Sequence, residues 1–273
     1  MDNPVSVSRS GWQRAAVIVA VVVQIGATFL PQFGLGEPIG SRSDSVRTLV
    51  TPSGWAFAIW GPLFLFSAVF AVWQALPAQR RNALLRQISW PAAVALAAQG
   101  VWATYTQFAN LTAISAVIIL VSLGGLLLVL RALVAAPALS RGERWLVAPV
   151  FSALAAWLTA ASIVNISATL KFYGVGGGDQ SPEVAAVMVA IGAIIAAIAT
   201  ARVRGAPLYG LVFCWALLAI YARGGQEFAP IGWAAMAGGA MVLAALVWRL
   251  SQAENRRHWL GGQTASQARP TLT

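Results

Sequence analysis

Apolar runs of membrane-span length recur along the chain, separated by short stretches where charge, glycine and proline collect. Eight runs are read, at about residues 15–30, 54–76, 88–108 and 111–133, then 145–170, 184–201, 208–221 and 232–250. A hydrocarbon core of about 30 Å takes roughly 20 helical residues to cross. Inside it every backbone N–H and C=O must be satisfied by protein, which leaves helices or closed barrels. Barrel strands alternate with period two over about ten residues, and these runs do not. The pattern predicts an all-α fold: a polytopic helical membrane protein of about eight transmembrane helices.

The polar stretches assign sides. With eight crossings, one side receives Arg9, Arg14, Arg80, Arg81, Arg86, Arg131, Arg141, Arg144, Arg202, Arg204, Arg249, Arg256, Arg257 and Arg269, fourteen in all. The other receives Arg42, Arg47, Lys171 and Arg223. Lys and Arg beside short loops stay on the cytoplasmic side, so the split predicts a multi-pass protein of the cell membrane with both termini cytoplasmic. Arg9 and Arg14 before the first run have the charge order of a signal peptide. The ATFLPQFG that follows offers no small-residue cleavage pattern, and a retained first helix is expected. Residues 1–172 read as a five-helix unit, 173–258 as three further helices and 259–273 as a disordered tail. PSGWAFAIWG at Pro52 is weakly echoed by PIGWAAMAGG at Pro230, each entering the membrane from outside.

Composition then removes whole classes of function. Of 273 residues, 59% are hydrophobic and 10% charged, against about 25% charged in soluble domains. The net charge of +10 is spent flanking spans, with no soluble face to gather it, so no nucleic-acid partner is expected. All eight acidic residues fall in loops, tails or span edges, and the one histidine, His258, reads as part of the tail. A proton relay would want ionisable groups inside the spans. Metal or haem-iron ligation also lacks candidates there, with Cys214 read as a small packing residue. No nucleophile–base pair exists in the membrane, so no catalytic residue is assigned and enzyme function is not expected.

What remains inside is aromatic and amide. Eight of the twelve tryptophans, including Trp12, Trp55, Trp73, Trp145 and Trp259, fall near expected interfaces, where an amphipathic indole belongs. Trp60, Trp102, Trp157 and Trp215 lie deeper. At 1.5 Å per residue, Trp60 on the second helix and Trp102 on the third sit at similar depth, about 10 Å below the outer surface. Gln99 lies one turn deeper than Trp102, and Asn165 on the fifth helix is level with Trp60. Ala161 falls between Asn165 and Trp157 on one face. Buried amides need partners. Either they join helices while the indoles fill the core, or Trp60, Gln99, Trp102, Trp157, Ala161 and Asn165 line an apolar pocket with a few polar groups. Indole faces suit planar, conjugated ligands.

TPSGWAFAIWGPLF, residues 51–64, resembles the start of the second helix in the tryptophan-rich sensory protein or translocator protein (TspO/MBR) family. There, prolines precede an aromatic, Phe and Trp, as Pro52, Trp55, Phe57 and Trp60 do here. The family's polar residue three before a tryptophan on helix 3 is matched by Gln99 and Trp102. Its Trp, small residue and Asn on helix 5 are matched by Trp157, Ala161 and Asn165. These motifs cover roughly residues 12–172. The resemblance implies a membrane sensor, often a homodimer, that binds porphyrins, other tetrapyrroles or further hydrophobic small molecules in a regulatory or stress-related role. It implies no required cofactor, only a bound porphyrin-like ligand, whose carboxylates external residues such as Arg42 or Arg47 would meet. Light-dependent porphyrin breakdown, ascribed to some members, is a further reading that the resemblance opens. The alternative function is a transporter of an uncharged or amphipathic small molecule, for which eight helices and Pro-Gly breaks are suitable.

Overall fold

The computed structural model describes residues 8–175 and 181–261. The tail beyond residue 261, and with it Arg269, lies outside the described residues, as do the first seven residues and residues 176–180 of the glycine-rich 173–182 stretch.

Helix starts follow local chemistry. Ser10 and Gln13 form a reciprocal capping box that opens α1, Gly11–Gly26, which tightens into a 3₁₀ segment, Ala27–Phe33. A short helix, α2 (Ile39–Ser45), crosses the loop that follows. A 3₁₀ turn, Gly54–Ile59, leads into α3, Trp60–Ala75. Asn82 caps α4, Ala83–Ala109, and α5 runs Ala113–Ala135. A π turn, Glu143–Val147, opens α6, Ala148–Phe172. Ser181 caps α7, Pro182–Arg202, with proline in the first turn, where its missing N–H costs nothing. The α8 helix, Pro207–Ile220, ends in a second π turn, Tyr221–Gly225, and α9 (Ala229–Ser251) and α10 (Ala253–Leu260) follow.

Seven helices among the described residues have the length and apolar composition of a span, and α4 is the exception. Arg86, Gln87, Gln99 and Gln107 make it polar. It nevertheless runs alongside α1 in the same direction. Near the middle Gln24 Nε2 donates to Gln99 Oε1 at 2.8 Å, and near the end Gln107 Nε2 donates to Ala27 O at 2.9 Å. Two of its amides, Gln99 and Gln107, are spent on this neighbour, so α4 crosses with α1 and the crossings among the described residues number eight.

Hydrogen bonds tie the loops of each side together. On one side, Arg9 N donates to Arg80 O, Asn82 Nδ2 to Glu143 Oε1, Arg144 Nε to His258 O and Trp259 Nε1 to Arg204 O. Both ends of the described chain therefore lie on this basic side, as an even number of crossings demands. On the far side, Ser53 N donates to Ala219 O, Arg223 Nη1 to Pro52 O and Lys171 Nζ to Arg47 O. Buried Arg9 anchors the basic side by donating to Gln74 O, Gln74 Oε1 and Ser89 Oγ. Burial, reinforced by Arg14, lowers its pKa to about 10, which still leaves it charged at neutral pH.

The helices form two rings that share one member. One ring is α1, α4, α5, α6 and α3; the other is α6, α8, α9 and α7. For α6, 78% of its most apolar stretch is buried, and none of the other six apolar spans exceeds 50%. Close approach also holds α1 to α4: a Cβ on Gly100 would stand 2.5 Å from Val23 O. Replacing Gly100 by Val should force the helices apart at a cost of about 1–3 kcal/mol. Thermal unfolding should show a lower midpoint than in Gly124→Val, whose position faces open space; equal midpoints would count against this crossing.

The sequence placed His258 and Trp259 in a tail, and the structure corrects this. Both are buried on α10, with His258 Nε2–H donating to Leu133 O at 3.1 Å. Burial lowers the His258 pKa, helped by Arg204 and Arg144 and opposed by the Leu133 carbonyl and Glu254. The unfolded ring, near 6.5, thus binds protons before the folded one does. Stability from neutral His258 is complete above about pH 6.5 and is lost as pH falls through the folded value. Hydrogen exchange corrected for intrinsic rates should show residues 253–260 losing protection between about pH 7.5 and 5, and His258→Gln should flatten the change. An equally steep fall in that variant would assign the sensitivity elsewhere.

Candidate functional site

In α3 the 3₁₀ turn sets the geometry. It carries Phe57 and hands over at Trp60 to the α-helix, aiming both rings across the bundle at α6. The Trp157 ring meets Phe57 at 6.1 Å and 87°, and Trp60 at 6.2 Å and 88°. Such edge-to-face contacts present positive ring edges to negative faces. Trp60 also stacks on Phe64 at 5.1 Å.

Around this aromatic group lie three adjoining cavities. The largest, about 350 Å³, runs between α1, α3 and α4 beneath α2, and includes Gln24, Phe57, Trp60, Gln99 and Trp102 in its wall. A second, about 50 Å³, is walled by Trp102, Trp157, Ala161 and Asn165, with Ala216 and Ile220 from α8. A third, about 40 Å³, is bounded by Trp60, Gln99, Trp102, Trp157 and Ala161. Phe57 and Trp102 border all three. All six residues singled out in the sequence therefore line this connected group. Trp215 does not; it stands on α8 with its edge against Trp55 at 4.7 Å, and Nε1 donates to Ala56 O. It braces the α3 turn from outside.

The amides are partly spent on helix pairing, as the alternative reading of them expected. Gln99 Oε1 accepts from Gln24, and Asn165 Oδ1 accepts from Ser115 Oγ at 3.0 Å. Yet Trp102 Nε1, Asn165 Nδ2 and Gln24 Oε1 are buried without a hydrogen bond among the described residues. Unsatisfied buried polar groups cost about 1–3 kcal/mol each. Two donors and an acceptor thus stand ready at the cavity walls. Among the described residues no group of three or more His, Cys, Asp or Glu could hold a metal.

Sequence reasoning missed Phe57 as a wall residue, although it lies inside the aromatic motif. It also missed Gln24, a lone amide in an apolar run that the argument used for Gln99 would have caught. Ser115, α2 and Arg223 gave no local signal. Arg42, expected to face ligand, is instead engaged by Glu37 at 3.3 Å and by Gln107 O.

Against known families, the TSPO-like protein family matches residues 12–248. The chain belongs to the TSPO-like protein family. The TSPO-like match extends through nearly all of α9, beyond residues 12–172 where the sequence motifs lie, so both helix rings fall within it. No curated protein and no solved structure matches the chain. Membership gives this multi-pass membrane protein a membrane-embedded ligand-binding or transport role.

Proposed function

We propose that this TSPO-like chain is a membrane sensor that binds a planar, conjugated hydrophobic ligand of the tetrapyrrole class. The observation that carries the reading is the cavity group itself. Its largest member falls within the roughly 300–1,000 Å³ common for small-molecule sites. Its walls are Phe57, Trp60, Trp102 and Trp157, with a few convergent polar atoms. A flat ligand stacks on the indoles, while Trp102 Nε1–H and Asn165 Nδ2 donate to oxygen or nitrogen on its edge. Binding, not bond-making, is the task assigned, because the walls hold stacking surfaces and hydrogen bonders without a nucleophile–base pair. No iron ligand is needed in this scheme.

Titration of the purified protein with protoporphyrin IX, read by tryptophan quenching, should saturate in the micromolar range. Trp60→Phe/Trp157→Phe should weaken it by roughly thirtyfold, since two lost stacking contacts at around 1 kcal/mol each total about 2 kcal/mol. The metal-free porphyrin should bind at least as tightly as its iron complex. Non-saturable quenching, equal in both proteins, would reduce the indoles to packing. Accumulation of ligand inside proteoliposomes, abolished by Trp60→Ala, would replace sensing with transport.

A further inference from the structure

The wall of the largest of the three adjoining cavities holds a cation that the aromatic reading does not use. Arg223 sits in the π turn that ends α8, and single-turn π segments concentrate at functional sites. Its position is built. Nη1 donates to Pro52 O at 3.0 Å, directly beside the backbone bond from Ser53 N to Ala219 O. The next residue, Gly224, packs so closely under the loop that a Cβ there would lie 2.8 Å from Leu49 O. Only glycine permits that approach. The chain thus spends a π turn and a tight contact to hold one guanidinium at the cavity wall.

Among the described residues, Arg223 is also the one basic residue of the far side that lines the cavity, the others there being Arg42, Arg47 and Lys171. Its Nη2 meets Asp44 Oδ1 at 3.3 Å. Asp44 lies on α2, the helix over the cavity, and lines the cavity too. That carboxylate is largely exposed, and exposed ion pairs hold weakly. The helix α2 does not depend on it. Arg42 Nε and Nη2 donate to Gln107 O, and Asn110 Nδ2 donates to Ser45 Oγ at 3.0 Å. Asp44 is therefore free to turn away while its helix stays in place.

We propose that Arg223 is the anion-recognition residue of the cavity, and that Asp44 fills its place until the carboxylate of an incoming flat, apolar acid displaces it. Resting on the aromatic-cavity reading, this adds a ligand class: hydrophobic acids over their neutral esters. It also gives α8 a role, since the specificity-setting group comes from the second ring. A guanidinium bound to a carboxylate forms charge-assisted hydrogen bonds that an ester cannot match.

The test compares protoporphyrin IX with its dimethyl ester in wild type, Arg223→Gln and Asp44→Asn, each in the same detergent. Dividing the acid's affinity by the ester's, protein by protein, cancels differences in partitioning. Arg223→Gln should cut this ratio by roughly five- to tenfold, and Asp44→Asn should raise it by roughly two- to fivefold, because a competitor is gone. Asp44 is exposed, so its variant reports even if Arg223→Gln does not fold. A ratio unmoved by Asp44→Asn, or by a folded Arg223→Gln, while binding still saturates and stays sensitive to Trp60→Phe, would overturn the anion site and leave the cavity reading standing. Quenching that saturates with neither ligand would overturn both.

Discussion

A helix surrounded by other helices inside a bilayer gains little from apolar burial, because lipid is as apolar as any side chain. What holds it is close contact and the absence of stranded polar groups. The whole of this fold depends on α6 meeting that condition on every side but the cavity wall, where Asn165 Nδ2 is left without a partner among the described residues. Its sequence is dense in small residues, with Ala153, Ala155, Ala156 and Ala160 all buried. Its hydroxyls are kept harmless locally: Ser152, Thr159 and Ser162 each donate to the carbonyl one turn back. Thr159 also meets Tyr209 of α8 at 3.1 Å, so one hydroxyl links the two rings. An apolar helix without a polar stripe is built to be enclosed.

The cavity is a consequence of that enclosure. Trp157 is the largest group on α6 facing the first ring, and α3 cannot pack flush against it. The 3₁₀ turn before Trp60 lets Phe57 and Trp60 flank it, and space remains between the three rings, α4 and α2. The second ring closes the remaining side, since Ala216 and Ile220 of α8 border the cavity that holds Asn165. Bonds from Ser53 and Trp215 fix the α3 turn to α8. A five-helix bundle with three appended helices thus describes the chain order better than the site, which draws on both rings.

The helices were legible because each hydrocarbon-length run announces itself by composition. The core of α4 read as an apolar run over residues 88–108, and the alternation of basic and far-side loops supported counting it as a crossing. Five of the six wall residues were legible because a tryptophan or amide deep in a span needs a reason to be there, and Ala161 because it falls between Trp157 and Asn165 on one face. Contacts between distant segments were not. Trp259 has the composition of a tail residue, and its burial depends on a carbonyl of Arg204. Trp215 lies deep along its helix yet faces outward, and depth alone says nothing of facing. Arg223 counted only as a charge, since its role depends on Pro52 and Asp44 being brought to it by tertiary packing.

The central claim, that a planar ligand lies among the indoles between α3, α4 and α6, has a direct measurement. In air, a bound porphyrin under light converts dissolved dioxygen to singlet oxygen, which adds to the indoles nearest it. Brief illumination of the protoporphyrin IX complex, followed by mass-spectrometric mapping of oxidised tryptophans, should mark Trp60, Trp102 and Trp157 first. Lipid-facing Trp12, Trp233 and Trp248, the most exposed indoles, should lag. Oxidation led by those three, with the cavity indoles spared, would mean the porphyrin dissolves around the protein, contradicting the account.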